Sequence, residues 1–156
     1  MTTDVQRQAA IETIEISKTI DIAAPIEIAF EAMLEELGPE AQMMDGTAMP
    51  FKLEAWPGGR WFRDLGNNTG HLWGHVQVIK PPTLLEICGP MMMSYPAANH
   101  TQYRLSAQGS GTRLAFVHRA LGLISPDHRE GMPKGWGHWM QRIGDRAERK
   151  SGQRKK

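Results

Sequence analysis

A change of hydrophobic period near Pro133 constrains this chain more than any other feature. Upstream, apolar and polar residues alternate in short segments cut by glycine and proline. Ile14, Ile16, Ile20 and Ile22 alternate with Glu15, Ser17, Thr19 and Asp21, which is the period of a half-buried strand. From Pro133 onward, Trp136, Trp139, Met140, Ile143 and Ala147 share one wide helical face, with Arg142, Asp145, Arg146 and Arg149 turned away. Antiparallel strands need only short connections and no crossover. The pattern therefore predicts an α+β domain: one curved antiparallel sheet of about six strands around a long C-terminal helix lying across its concave face.

Between these ends the punctuation places the other elements. Pro25 opens a helix whose stripe is Ile26, Phe30, Met33, Leu34 and Leu37, with Glu27, Glu31 and Glu35 opposite and Gly38-Pro39 as its stop. Glu40 to Pro50 reads as a short helix or a mobile apolar flap. Strands follow at Phe51 to Trp56, Arg60 to Leu65, His71 to Ile79 and Leu84 to Cys88, then a hairpin of His100 to Leu105 with Thr112 to Arg119. Strict alternation in the strand from His71 puts Leu72, Val76 and Val78 on one face and Trp73, His75 and Gln77 on the other. Lys18 interrupts the apolar face of the first strand, either snorkelling past the sheet edge or pointing a charge into a cavity.

Length and charge bound the function. A chain of 156 residues fits a single domain, here assigned to 12–149, with 1–11 and 150–156 as flexible termini. The tail from Arg146 to Lys156 is basic and reads as a solvated, frayed end. A net charge of +1 argues against nucleic acid as a partner. No run approaches the roughly 20 apolar residues of a membrane span. Cys88 is the only cysteine, so no intramolecular disulfide forms, and it reads as a small buried apolar residue. With a polar N-terminus lacking a secretory pattern, the expected setting is cytoplasmic. A homodimer stays open.

Five short motifs occur in a fixed order. They are an alternating strand running into Ala24-Pro25, then Gly58-Gly59-Arg60-Trp61-Phe62, then Gly74 through Leu85 with Pro81-Pro82, then Gly111 through His118, then Gly135-Trp136 followed by Met140 and Ile143. In this order they resemble the START-like (SRPBCC) superfamily, and within it the branch of homologues of the activator of heat-shock-protein-90 ATPase. The resemblance covers about residues 12–149 and implies a helix-grip fold with a hydrophobic cavity. Two departures, Ile87-Cys88-Gly89-Pro90 and the lack of an aromatic between Glu40 and Pro50, imply a differently shaped cavity mouth.

The residues that carry chemistry are few. His71 and His75 lie on a strand, about 13 Å apart along it, too far to share one ion. His118 shares a face with Leu114 and Phe116 and reads as a core histidine bonded to a neighbour or to the polar end of a ligand. No partner carboxylate stands at a telling spacing, so no catalytic residue, metal or cofactor is assigned. The main expectation is binding of an apolar or amphipathic small molecule between helix and sheet. Its lining is Trp73, His75, Phe116, His118, Trp136 and Met140, the first two less securely because a slip of one residue exchanges strand faces. Met43-Met44 and Met91-Met92-Met93 suit a deformable entrance. Gly135 and Gly137, at the expected helix start, imply a close approach of its first turn to the sheet or to the mouth loops. Two alternatives stand beside this one. One is a cyclase- or dehydratase-like enzyme using His118 or His75 as acid–base. The other is a chaperone-related protein-interaction module with an exposed apolar patch.

Overall fold

The computed structural model describes residues 1–7 and 9–154. Seven strands form one antiparallel sheet: β1 (Glu12–Ile22), β2 (Lys52–Leu53), β3 (Arg60–Gly66), β4 (Thr69–Lys80), β5 (Leu84–Gly89), β6 (Ala97–Gln108) and β7 (Gly111–Gly122). Helix α1 (Ile26–Leu37) follows β1, and α2 (Pro126–Arg154) ends the described chain. The sheet order is β1-β7-β6-β5-β4-β3-β2. The expected count of about six is thus corrected to seven. Every alternating segment joins the same sheet, and even the two-residue β2 pairs with β3 at Phe62 and Trp61. Beyond it the segment expected as a strand to Trp56 leaves the ladder, and Trp56 stands in an exposed turn.

Two glycines show why the motif positions admit no side chain. A Cβ on Gly59 would lie 1.8 Å from the Glu54 carbonyl oxygen, because the turn folds back to exchange hydrogen bonds with Val76 of β4. At Gly89, φ is +159° and a Cβ would lie 2.4 Å from the Gly74 Cα. That approach lets Met91 N–H donate to the Trp73 carbonyl at 2.8 Å, which docks the methionine loop onto β4.

Helix α2 starts seven residues before Pro133. Pro126 takes the first helical position, and Ser125 caps it by accepting at Oγ from the His128 N–H at 3.2 Å. Pro133 is an interior residue of a 29-residue helix. Gly135 is therefore mid-helix, and nothing lies within 4 Å of a Cβ built on it; one on Gly137 would only touch Lys18, at 3.6 Å. The close approach expected for these glycines is corrected. Lys18 lies between sheet and helix, over Gly137.

Helix α1 packs beside α2 through charge and through indoles. Its last carbonyls lack helical partners, and two tryptophans supply them: Trp139 Nε1–H donates to the Glu36 carbonyl at 2.6 Å and Trp61 Nε1–H to that of Leu37 at 2.7 Å. Glu36 is fully buried and pairs with Arg142 at 2.8 Å. Arg146 reaches Glu35 and Glu40, and Lys150 reaches Glu31 and Glu35. The basic tail is therefore not a frayed end: it is helical to Arg154, and Ser151 is buried. Residues 8, 155 and 156 of the termini expected to be flexible lie outside the described residues. Replacing Glu36 with Gln will remove the buried negative charge that faces Arg142 and Arg146, and will cost about 2 kcal/mol in urea unfolding. Asp21→Asn, at an exposed pair with Arg113, will cost under about 0.5 kcal/mol. Equal losses would contradict the burial argument.

Candidate functional site

Two irregularities in β4 decide which side chains reach the inner face. Trp61 pairs with Gly74 but Phe62 with Leu72, so Trp73 is an extra residue in a bulge. Val76 pairs with Ile87 but Val78 with Glu86, so Gln77 is a second one. Each bulge resets the alternation. Trp73, Gly74 and Val76 turn inward, whereas Leu72 and His75 are exposed. The two-face assignment of this strand is corrected: Trp73 and His75 do not share a side, and His75 points away from the core.

The space expected to be a cavity, between the middle of α2 and the last strand, is filled. Phe116 packs with tilted rings against Trp136 at 4.6 Å and Tyr103 at 5.1 Å, and Trp136 stacks on Trp139 at 5.2 Å. Phe116, His118 and Met140 are at most 1 % exposed; they are core, not cavity wall. Aromatic area packed at these distances is worth more in contact than left to line a void.

His118 is the polar centre of that core. Trp136 Nε1–H donates to its Nδ1 at 2.9 Å. An indole is only a donor, so the imidazole is protonated at Nε2 and donates to Asn99 Oδ1, 2.7 Å away. Asn99 in turn donates from Nδ2 to the Pro90 carbonyl at 3.1 Å. Burial, aided by the nearby His100, pushes the His118 pKa down to about 4, since the charged form is poorly solvated there. Both ring nitrogens are committed to protein partners, so neither is open to a substrate. Burial likewise pushes the Tyr103 phenol up.

The open cleft lies one helical stage earlier, at the N-terminal half of α2. It has a volume of about 480 Å³. Trp73, Trp136 and Trp139 form its aromatic wall, and Met43, Met44, Met49, Met92 and Met132 its flexible one. Gly131 and Gly135 leave its floor open: nothing lies within 4 Å of a Cβ at either. The segment expected as a helix or flap is a small hairpin turn, with Gln42 bridged to Ala48 and Met43 N–H donating to the Thr47 carbonyl. Its tip presents exposed Met43 and Met44. The polar groups are Gln42, Asp45, Asp127, His128 and His138. The Tyr95 hydroxyl holds His128 through Nδ1 at 2.8 Å, and also accepts from the Ser125 N–H.

Of the expected lining, then, Trp73 and Trp136 reach the cleft. Trp139, Met132 and Gly131 were not anticipated there, although their signal is in the sequence. With the helix begun at Ser125-Pro126, His128, Gly131, Met132, Gly135 and Trp139 recur at i, i+3, i+4, i+7 and i+11, one helical face. His71 serves Trp73, accepting its Nε1–H at Nδ1 over 3.1 Å. Cys88 is exposed rather than buried, because its neighbour Ile87 takes the inner face of β5. Among the described residues no helix is long and apolar enough to cross a membrane.

No protein-family model matches the chain. Nor does any curated protein match it in sequence. The fold does recur in solved structures. An uncharacterised protein from Rhizobium leguminosarum is similar over 90% of this chain and 99% of its own, with a TM-score of 0.64 and 17% identity. A protein of unknown function from Staphylococcus aureus, SA2116, covers 91% and 98% with a TM-score of 0.66 and 14% identity. CalU16 from Micromonospora echinospora covers 89% and 87% with a TM-score of 0.59 and 19% identity. At these identities the likeness is one of fold: an antiparallel sheet with two helices, the second running to the C-terminal end of the described chain.

Proposed function

We propose that this chain is a START-like protein of the helix-grip kind whose role is to hold an apolar or amphipathic small molecule, without catalysis. One observation carries the reading: a cleft of about 480 Å³ walled by three tryptophans and five methionines, with a floor of two glycines in mid-helix. Volume and lining are those of small-molecule sites. Glycine inside a helix costs about 1 kcal/mol relative to alanine, and neither Gly131 nor Gly135 has a packing partner that excludes a side chain. Space for a ligand is what their retention leaves. The enzyme reading loses its two candidates, since His118 is closed off by Trp136 and Asn99 and His75 is exposed on the opposite side of the sheet.

The test uses the neutral probe N-phenyl-1-naphthylamine. It should gain fluorescence with the wild-type protein and quench tryptophan emission, because Trp73, Trp136 and Trp139 all border the cleft. Gly135→Leu will fill the floor. Probe binding should weaken at least about tenfold, about 1.4 kcal/mol, while the thermal midpoint stays level or rises through better helix propensity. Unchanged probe binding in Gly135→Leu, or no binding to the wild type, would refute the reading.

A further inference from the structure

We infer that the cleft selects for positive charge: its ligand is a lipophilic amine in its protonated form, not a fatty-acid-like anion. The inference rests on the proposed binding function and adds the ligand's charge. The cleft itself is the site, and its polar groups only choose among amphiphiles. Four ionisable side chains line it, Asp45, Asp127, His128 and His138, and no lysine or arginine does. An anionic head group would therefore meet two carboxylates and no permanent counter-charge.

The state of these carboxylates supports the choice. Asp45 accepts from the Thr47 N–H at 2.9 Å, and this bond holds its pKa below the usual value. Asp127 stands in the first turn of α2, where the helix N-terminus favours a negative charge. Of the other acidic side chains, Asp21, Asp64, Glu12, Glu15, Glu36 and Glu54 each have a basic partner, while Asp145 and Glu148 accept from Gln141 and from the Ala23 N–H. Asp45 and Asp127 form no ion pair among the described residues, and both line the tryptophan- and methionine-walled cleft. A separate observation concerns the wall. His138 Nε2 is buried without a hydrogen-bond partner, on a residue that lines the cleft. In the tautomer that carries its proton on Nδ1 this nitrogen is an acceptor for an ammonium N–H, and the carboxylates are acceptors for the same group. The indole wall is compatible with a cation as well.

Three probes with the same tail decide the matter: decylammonium, decanol and decanoate, each titrated below its micelle concentration with tryptophan emission as readout. Wild type should bind decylammonium about tenfold more tightly than decanoate, through two exposed carboxylates at the cleft rim. Added salt should shrink it. In the Asp45→Asn, Asp127→Asn double variant the ratio should fall to about threefold or less, with decanol affinity unchanged as the control for an intact cleft. Equal or reversed preference in the wild type, or a preference that survives in the double variant, would overturn the charge inference while decanol binding upholds the cleft. If none of the three binds, the binding function and the inference fail together.

Discussion

Acidification from pH 7 to pH 4 is expected to cost the fold about 3 kcal/mol through His118 alone. In the folded chain its pKa is pushed down to about 4; in the unfolded chain it returns to about 6.5. Between these values the unfolded state takes up the proton and the folded state does not. Stability is thus complete above about pH 6.5, declines as the pH falls toward 4, and levels off below that. The cause of the shift is burial, aided by the nearby His100, and the geometry agrees with it: an imidazolium would carry a proton on Nδ1 facing the Trp136 N–H, donor against donor. Urea unfolding at half-unit pH steps will show the decline. His118→Gln retains one acceptor for Trp136 and one donor for Asn99 without a titrating group, so its curve should lack this component. Parallel wild-type and variant curves between pH 6.5 and 4 would refute the assignment.

Removal of the Trp136 side chain should have a large effect on stability. The residue is 2 % exposed, stacked on Trp139 and packed against a tilted Phe116 ring. Trp136→Ala loses that area and opens a cavity, a change that costs 3–5 kcal/mol in typical cores. It also leaves His118 Nδ1 bare, which adds about 1 kcal/mol. The expected total of about 5 kcal/mol is comparable to the whole stability of many domains. Trp136→Phe separates the two contributions, because it keeps most of the ring and loses the N–H; a loss of about 2 kcal/mol is expected. Equilibrium denaturation measures both. A loss below about 1 kcal/mol for Trp136→Ala would contradict the packing described here.

Trp136 also shows how far the chain can be read without coordinates. Helical spacing placed it with Trp139, Met140, Ile143 and Ala147, and all five are buried. Spacing alone did not separate the part of that face that meets β7 from the part that meets the cleft. Which of the two a ring occupies depends on the residues across from it, and Phe116 and Tyr103 arrive there from strands far along the chain. His118 is similar. Its inward direction followed from Leu114 and Phe116, but its two partners come from β6 and α2, which no local pattern identifies.

The strand from Thr69 to Lys80 marks a different boundary. Alternation predicts faces only while the ladder keeps register, and here it slips twice, at Trp73 and at Gln77. Nothing in the local sequence announces a bulge. The turn at Gly58-Gly59 and the loop after Gly89 both hydrogen-bond to β4, and these partners come from other parts of the chain. The helix start at Ser125-Pro126, by contrast, was legible from its cap residues. Pro133 obscured it, because proline is common at a first turn and uncommon inside a helix.

Local chemistry, acting over a few residues, determined most of the strands, the two helices and the apolar faces wherever the ladder keeps register: period, turn residues and caps act at that range. Tertiary structure alone decided where the empty space lies. A cleft is what remains after distant side chains have packed, and its position depends on how well rings from β6, β7 and α2 fill the middle of the domain. They pack closely there, so the open space lies at the N-terminal half of α2, where Gly131 and Gly135 contribute no side chains and the methionine-tipped hairpin supplies the opposite wall.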